Sequence, residues 1–204
     1  MNLLENLTPA TLSARSLAWE NPPLDWQPLS GAGIRVFVPA RADYFQDPVG
    51  VVQADSAPFL WLPVSGDFTA RTHVRPAFNT TYDSGVLMAR QDQHTWAKLC
   101  YEKTDFGTTA VVSVVTRGLS DDANGADLTA PDLWLQIVRA GDVFALHYAL
   151  DGQDWHMVRI FNLPMPSTIK AGIVAQCPVG LGTTVDFLHF SIEDNLPRNL
   201  RAGK

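Results

Sequence analysis

The chain has 204 residues, 46% of them hydrophobic, and a formal net charge of −6. That length suits one large all-β domain better than two smaller ones, and it is enough to bury a core without covalent staples. The acidity argues against nucleic acid and anionic membrane surfaces as partners, and no apolar run approaches the roughly 20 residues that span a bilayer.

The opening stretch MNLLENLTPATLSARS lacks the basic segment and long apolar run of a secretion signal. Within it, Asn2–Leu7 reads as a turn or two of helix. Beyond it, 14 Gly and 14 Pro cut the chain into short segments with no long amphipathic helical pattern. Strand-like runs follow at Ile34–Val38, Phe59–Pro63, Phe68–Val74, Val86–Arg90, Trp96–Tyr101 and Ala110–Thr116. Further runs lie at Leu133–Arg139, Val143–Leu150, Trp155–Asn162, Ala171–Ala175 and Thr184–Ile192, and the tail NLPRNLRAGK reads as loose. Many short strands bounded by turn signals predict an all-β sandwich or barrel, with residues 1–204 as one domain.

Two hairpins carry more detail. In YDSGVLMARQDQHTWAKLCYE, a loop at QDQHT sets Arg90 against Trp96, Met88 against Lys98, Val86 against Cys100 and Ser84 against Glu102. Because side chains alternate across a strand, Leu87, Leu99 and Tyr101 then share the core face, and Arg90, Trp96, Lys98 and Glu102 share the other. A face mixing cations, an acid, an aromatic ring and apolar groups suits a groove lining, and equally a packed sheet whose long side chains snorkel to water. In FALHYALDGQDWHMVRI, Asp151-Gly152 reads as a two-residue turn, which sets Tyr148 against Trp155 and His147 against His156. Two facing imidazoles without a third ligand predict no metal site.

Cys100 and Cys177 form no CxxC or Cys/His cluster and read as small buried hydrophobes of a cytoplasmic protein. Glycine-rich phosphate loops and a G-x-S-x-G elbow are absent, so no cofactor is implied. If the strand SVVTR turns its polar residues toward the groove, Ser113 and Arg117 join Arg90 and Lys98 there. Such cations beside Trp96 would suit a sugar acid, a phosphorylated sugar or a glycan, with Tyr82 and Asp83 at the rim. Arg71, His73 and Arg75 alternate on TARTHVR as a further set of cations.

Four ordered segments, DYFQDPVGVVQADSAPFLWLPVSGDFTARTHV, YDSGVLMARQDQHTWAKLCYE, SVVTRGLSDD and HYALDGQDWHMVRIF, resemble a concanavalin A-like family of undefined function that includes the regulation-of-enolase protein. The resemblance runs from about Trp19 to Ile192 and implies a jelly-roll sandwich of two curved antiparallel sheets, the concave one forming a groove. The wider superfamily holds lectins, glucanases and carbohydrate-binding modules that use this face for sugars. Its glucanases place E-x-D-x-x-E on one strand, whereas WAKLCYEKTD offers Glu102 alone, with Asp105 after it. A retaining glycosidase needs two carboxyl groups about 5 Å apart. The expectation is therefore a non-catalytic module binding a carbohydrate or sugar metabolite through Tyr82, Asp83, Arg90, Trp96, Lys98, Glu102, Ser113 and Arg117. The alternatives are a cytosolic regulatory protein with a metabolic enzyme as partner and, last, a glycan-active enzyme with Glu102 as lone acid/base.

Overall fold

The computed structural model describes residues 1–204. Its strands are β1 (Ala18–Glu20), β2 (Asp25–Pro28), β3 (Ile34–Val38), β4 (Tyr44–Gln46), β5 (Gln53–Asp55), β6 (Phe59–Ser65), β7 (Phe68–Pro76) and β8 (Ser84–Arg90). They continue as β9 (Thr95–Lys103), β10 (Thr109–Arg117), β11 (Leu119–Leu128), β12 (Leu133–Ala140), β13 (Val143–Ala149), β14 (His156–Asn162), β15 (Thr168–Gln176) and β16 (Thr183–Glu193). Helix is confined to α1 (Pro9–Leu12) and a 3-10 turn at Ser13–Arg15. The helix expected at Asn2–Leu7 does not form. Those residues turn instead, because the Asn2 side chain accepts from Leu4 N and Phe190 N and pins them to the sandwich.

All eleven strand-like runs are strands, with ends within three residues of those expected. They build two antiparallel seven-stranded sheets, ordered β1-β6-β15-β8-β9-β10-β11 and β14-β13-β12-β7-β16-β3-β2, plus a two-stranded ribbon β4-β5. The fold is the expected concanavalin A-like jelly-roll sandwich. Its interior is one cluster of 44 buried hydrophobic residues. Leu87, Leu99 and Tyr101 lie in that cluster, fully buried. Gly85 shares their parity and shows where it points. A Cβ there would stand 2.1 Å from Val74 Cγ2 of the other sheet, so only glycine lets the layers approach. Cys100 and Cys177 are free and buried.

The β8–β9 hairpin has the expected register, with Arg90 opposite Trp96, Met88 opposite Lys98 and Ser84 opposite Glu102. The Asp151-Gly152 hairpin does not. Its loop is wider, spanning 150–155, because the Asp151 carboxylate accepts from Gln153 N at 2.9 Å and Asp154 N at 2.8 Å. A bulge between Leu146 and His147 shifts the ladder further, so Tyr148 faces His156 and His147 faces Met157. The two histidines are thus not a facing pair. His156 is exposed, and His147 is sealed beneath the C-terminal tail. The tail is not loose: the Leu200 carbonyl accepts from His147 Nε2 at 2.8 Å, and the Gly203 carbonyl accepts from Gln136 at 3.2 Å.

Candidate functional site

On the even-numbered face of β9, turned away from the space between the sheets, Lys98 and Glu102 line the floor of a groove of about 790 Å³, while Trp96 and Cys100 are covered. Register decides what stands beside it. Lys98, Val114 and Asp122 form one row across β9, β10 and β11, and Cys100, Val112 and Asn124 form the next. On the other side, Gln176, Ser84 and Glu102 form a row across β15, β8 and β9. One wall comes from the β4-β5 ribbon and the residues before it, with Asp43 and Phe45 toward the groove. Tyr82, Asp105 and Phe106 supply another, and Pro178 with Val179 a third.

The ribbon is fastened to the floor by the floor's own polar groups. Lys98 Nζ donates to the Tyr44 carbonyl at 2.7 Å and to Gln176 Oε1 at 3.1 Å, with Asp43 Oδ1 at 3.6 Å. Gln46 N donates to Ser120 Oγ at 2.9 Å, and Gln176 Nε2 donates to Asp43 at 2.7 Å. Burial penalises the Lys98 charge, but Asp43, Glu102 and Asp122 around it prevail and hold its pKa above the ordinary lysine value. Glu102 goes the opposite way for a carboxyl. Burial raises it to about 8, against the pull of Lys98 and with help from Asp122, Asp43 and Asp105. Asp122, though open to solvent on one side, is raised too, first by the partial loss of water within the groove. At neutral pH the floor therefore offers a protonated Glu102 carboxyl that donates as well as accepts, the Asp122 carboxyl and the Asn124 amide, over a buried Lys98 ammonium and Gln176 amide whose bonds go to the ribbon.

Of the residues singled out from the sequence, Tyr82, Lys98 and Glu102 line this groove. Arg90 and Trp96 lie on the expected face but under the ribbon, 4% and 0% exposed. Arg90 pairs with Asp55 at 3.0 Å and Glu20 at 3.2 Å while its guanidinium stacks 5.0 Å from the Tyr44 ring centroid. Asp83 is a buried turn-former, accepting from Thr80 N at 3.0 Å and Thr80 Oγ1 at 2.9 Å. Ser113 and Arg117 have the wrong parity: they oppose Leu99 and Thr95, so they share the core-facing side of β10. Ser113 is buried, and Arg117 escapes at the strand end to donate to the Asn162 carbonyl. Arg71, His73 and Arg75 alternate as expected but belong to the second sheet, where His73 binds Asp132 and Arg75 binds Asp186.

The cationic cluster expected from the sequence therefore does not assemble. Facing Arg41 and Lys98 in the groove are Asp43, Asp47, Glu102, Asp105 and Asp122. Most of these acids were invisible as site residues. β11 reads LSDDANGADL, which has the composition of a turn, yet its Ser120, Asp122 and Asn124 alternate as a strand requires.

A family match now fits this architecture. Residues 19–195 match the family described as "Protein of unknown function (DUF1349)". The chain belongs to that family. It is 27% identical over 161 residues to "Regulation of enolase protein 1" of Saccharomyces cerevisiae, covering 78% of this chain and 81% of that one. A solved structure of a functionally unknown protein from the same yeast superposes with a TM-score of 0.83 at 26% identity, covering 89% of this chain and 98% of the other. The sandwich also recurs in a GH43 protein from Bacillus licheniformis, at TM-score 0.72 and 14% identity, covering 89% of this chain and 37% of that one. A carbohydrate binding module from Bacillus subtilis shares it at TM-score 0.55 and 15% identity, covering 87% and 95%. These last two likenesses are of fold alone.

Proposed function

We propose that the groove binds an uncharged, hydroxyl-rich ligand, a carbohydrate or sugar metabolite, without transforming it. The observation that carries this is the mixed lining: Glu102, Asp122 and Asn124 present donors and acceptors in one groove with the Tyr82 and Phe106 rings, while the buried Lys98 and Gln176 hold the ribbon wall in place. Vicinal hydroxyls both donate and accept, and the apolar C–H face of a pyranose stacks on the face of an aromatic ring. The surplus of carboxylates disfavours the sugar acid or phosphorylated sugar that the cations suggested. Recurrence of the sandwich in a carbohydrate binding module supports the reading.

Glu102 and Asp122 stand two strands and four residues apart in register. At about 4.8 Å per strand and 3.4 Å per residue their backbones are roughly 17 Å apart, too far for the ~5 Å carboxylate pair of a retaining glycosidase. Two free, buried cysteines support the cytoplasmic placement. Titration calorimetry against neutral mono- and oligosaccharides tests the proposal. Asn124→Ala and Asp122→Asn should each weaken binding at least about tenfold, the 1.4 kcal/mol of one good hydrogen bond, without lowering Tm. Wild-type affinity in both variants would refute it.

A second reading draws on the yeast relative's name: a regulatory protein that docks on a metabolic enzyme. Repeated recovery of one enzyme in pull-downs, with no saccharide response, would favour it.

A further inference from the structure

The mouth of the groove carries a feature that a free sugar leaves unused. Val49, Val51, Val52, Phe106, Val179 and Leu181 are 83%, 81%, 51%, 79%, 54% and 90% exposed. They come from three loops, β4–β5, β9–β10 and β15–β16, and Val52, Phe106 and Val179 line the groove directly. These are half of the twelve large hydrophobic side chains that the chain leaves exposed, gathered at one opening. The first loop is built to present them. The Asp47 carboxylate accepts from Val49 N at 3.0 Å and Val51 N at 3.3 Å, and Asp47 N donates to the Val52 carbonyl at 2.9 Å. The third is held against the groove wall, where Arg41 N donates to the Gly180 carbonyl at 3.3 Å.

From this rim, and resting on the carbohydrate reading above, we propose that the ligand is an amphiphile: a glycosyl head on the floor and an apolar aglycone lying across the rim. A plain sugar would leave the valines and Leu181 in water. A plain hydrocarbon would strip water from Glu102, Asp122 and Asn124 and return no hydrogen bonds. Charge narrows the head further. Asp43, Asp47, Asp105 and Asp122 repel a carboxylate or phosphate head, and the Lys98 ammonium at the floor repels a cationic one.

The test is calorimetry on the full chain with methyl, butyl, hexyl and octyl β-glucosides and β-xylosides below their micelle concentrations. Affinity should rise up to about fourfold per added methylene, the ~0.8 kcal/mol of a buried CH2 converted at 1.4 kcal/mol per tenfold. In the triple variant Val49→Ser, Val51→Ser, Leu181→Ser that rise should flatten, with methyl-glycoside affinity unchanged. If methyl glycosides bind and chain length adds nothing, the amphiphile inference falls and the carbohydrate reading stands. If octanol binds as tightly as the octyl glycosides, both fall. If light scattering shows a wild-type dimer that the triple variant dissolves, the rim is an interface between copies and the inference is overturned.

Discussion

Replacing Glu102 by Gln should make the protein more stable at alkaline pH, and by an amount that grows with pH. The carboxyl has a pKa of about 8 in the folded chain against 4.5 when unperturbed. Between those values the unfolded chain has released the proton that the folded chain still holds. Stability contributed by Glu102 therefore falls as pH rises from about 4.5, and levels off above about 8. At about 1.4 kcal/mol per pH unit the full shift corresponds to roughly 5 kcal/mol. Part of the Glu102 surface meets groove water, which screens the penalty, so about 2–5 kcal/mol is expected. Glutamine has the shape of the protonated carboxyl and no proton to lose. Paired urea titrations of wild type and Glu102→Gln at pH 4.5, 6, 7 and 8.5 should give a gap near zero at the acid end, opening in favour of the variant toward pH 8.5. A gap that ignores pH would refute the reasoning. So would a wild type that gains on the variant as pH rises, since Glu102 would then be an ionised partner of Lys98.

Trp96→Ala should cost about 3–5 kcal/mol in denaturant titrations, because the ring is fully buried and carries the Lys98 ammonium over its face. Leu99→Ala should cost about 2–5 kcal/mol as an ordinary core truncation, and a harmless result would invert the assignment of faces. Lys98→Met should cost about 3–5 kcal/mol, since the Tyr44 carbonyl, Gln176 and Asp43 lose their shared donor. His147, lowered by burial against the pull of the Leu200 carbonyl, should stay neutral as pH falls through 6.5, with its proton on Nε2. Heteronuclear NMR of the ring nitrogens reads both.

The β8–β9 register was legible because one short polar loop separates two alternating runs, and a slip of one would bury Lys98 and Glu102 in the core. Parity names a face without naming what lies over it. That is why Arg90 and Trp96 emerged on the expected side but sealed, under a ribbon whose strands of three residues each leave little pattern. Ser113 and Arg117 were misplaced because the face of β10 follows from its pairing with Leu99 and Thr95, which its own residues do not reveal. The Asp151-Gly152 pair has the composition of a tight turn. The Asp151 side chain captures two further amides, and that contact widened the loop. Asp122 and Asn124 are not legible as groove residues because a strand without large apolar residues resembles a connection.

That strand, β11, is also the rim of its sheet, ten residues long with one side unpaired by any neighbour. A bare edge of such length is a template on which another chain could add by backbone pairing. Asp121, Asp122 and Asp127 place like charges along it, so two copies meeting edge to edge would bring those carboxylates together. Asp122, which also lines the groove, thus helps with Asp121 and Asp127 to keep the molecules apart in a crowded solution. A chain relieved of these three edge carboxylates should lose solubility before it loses its fold.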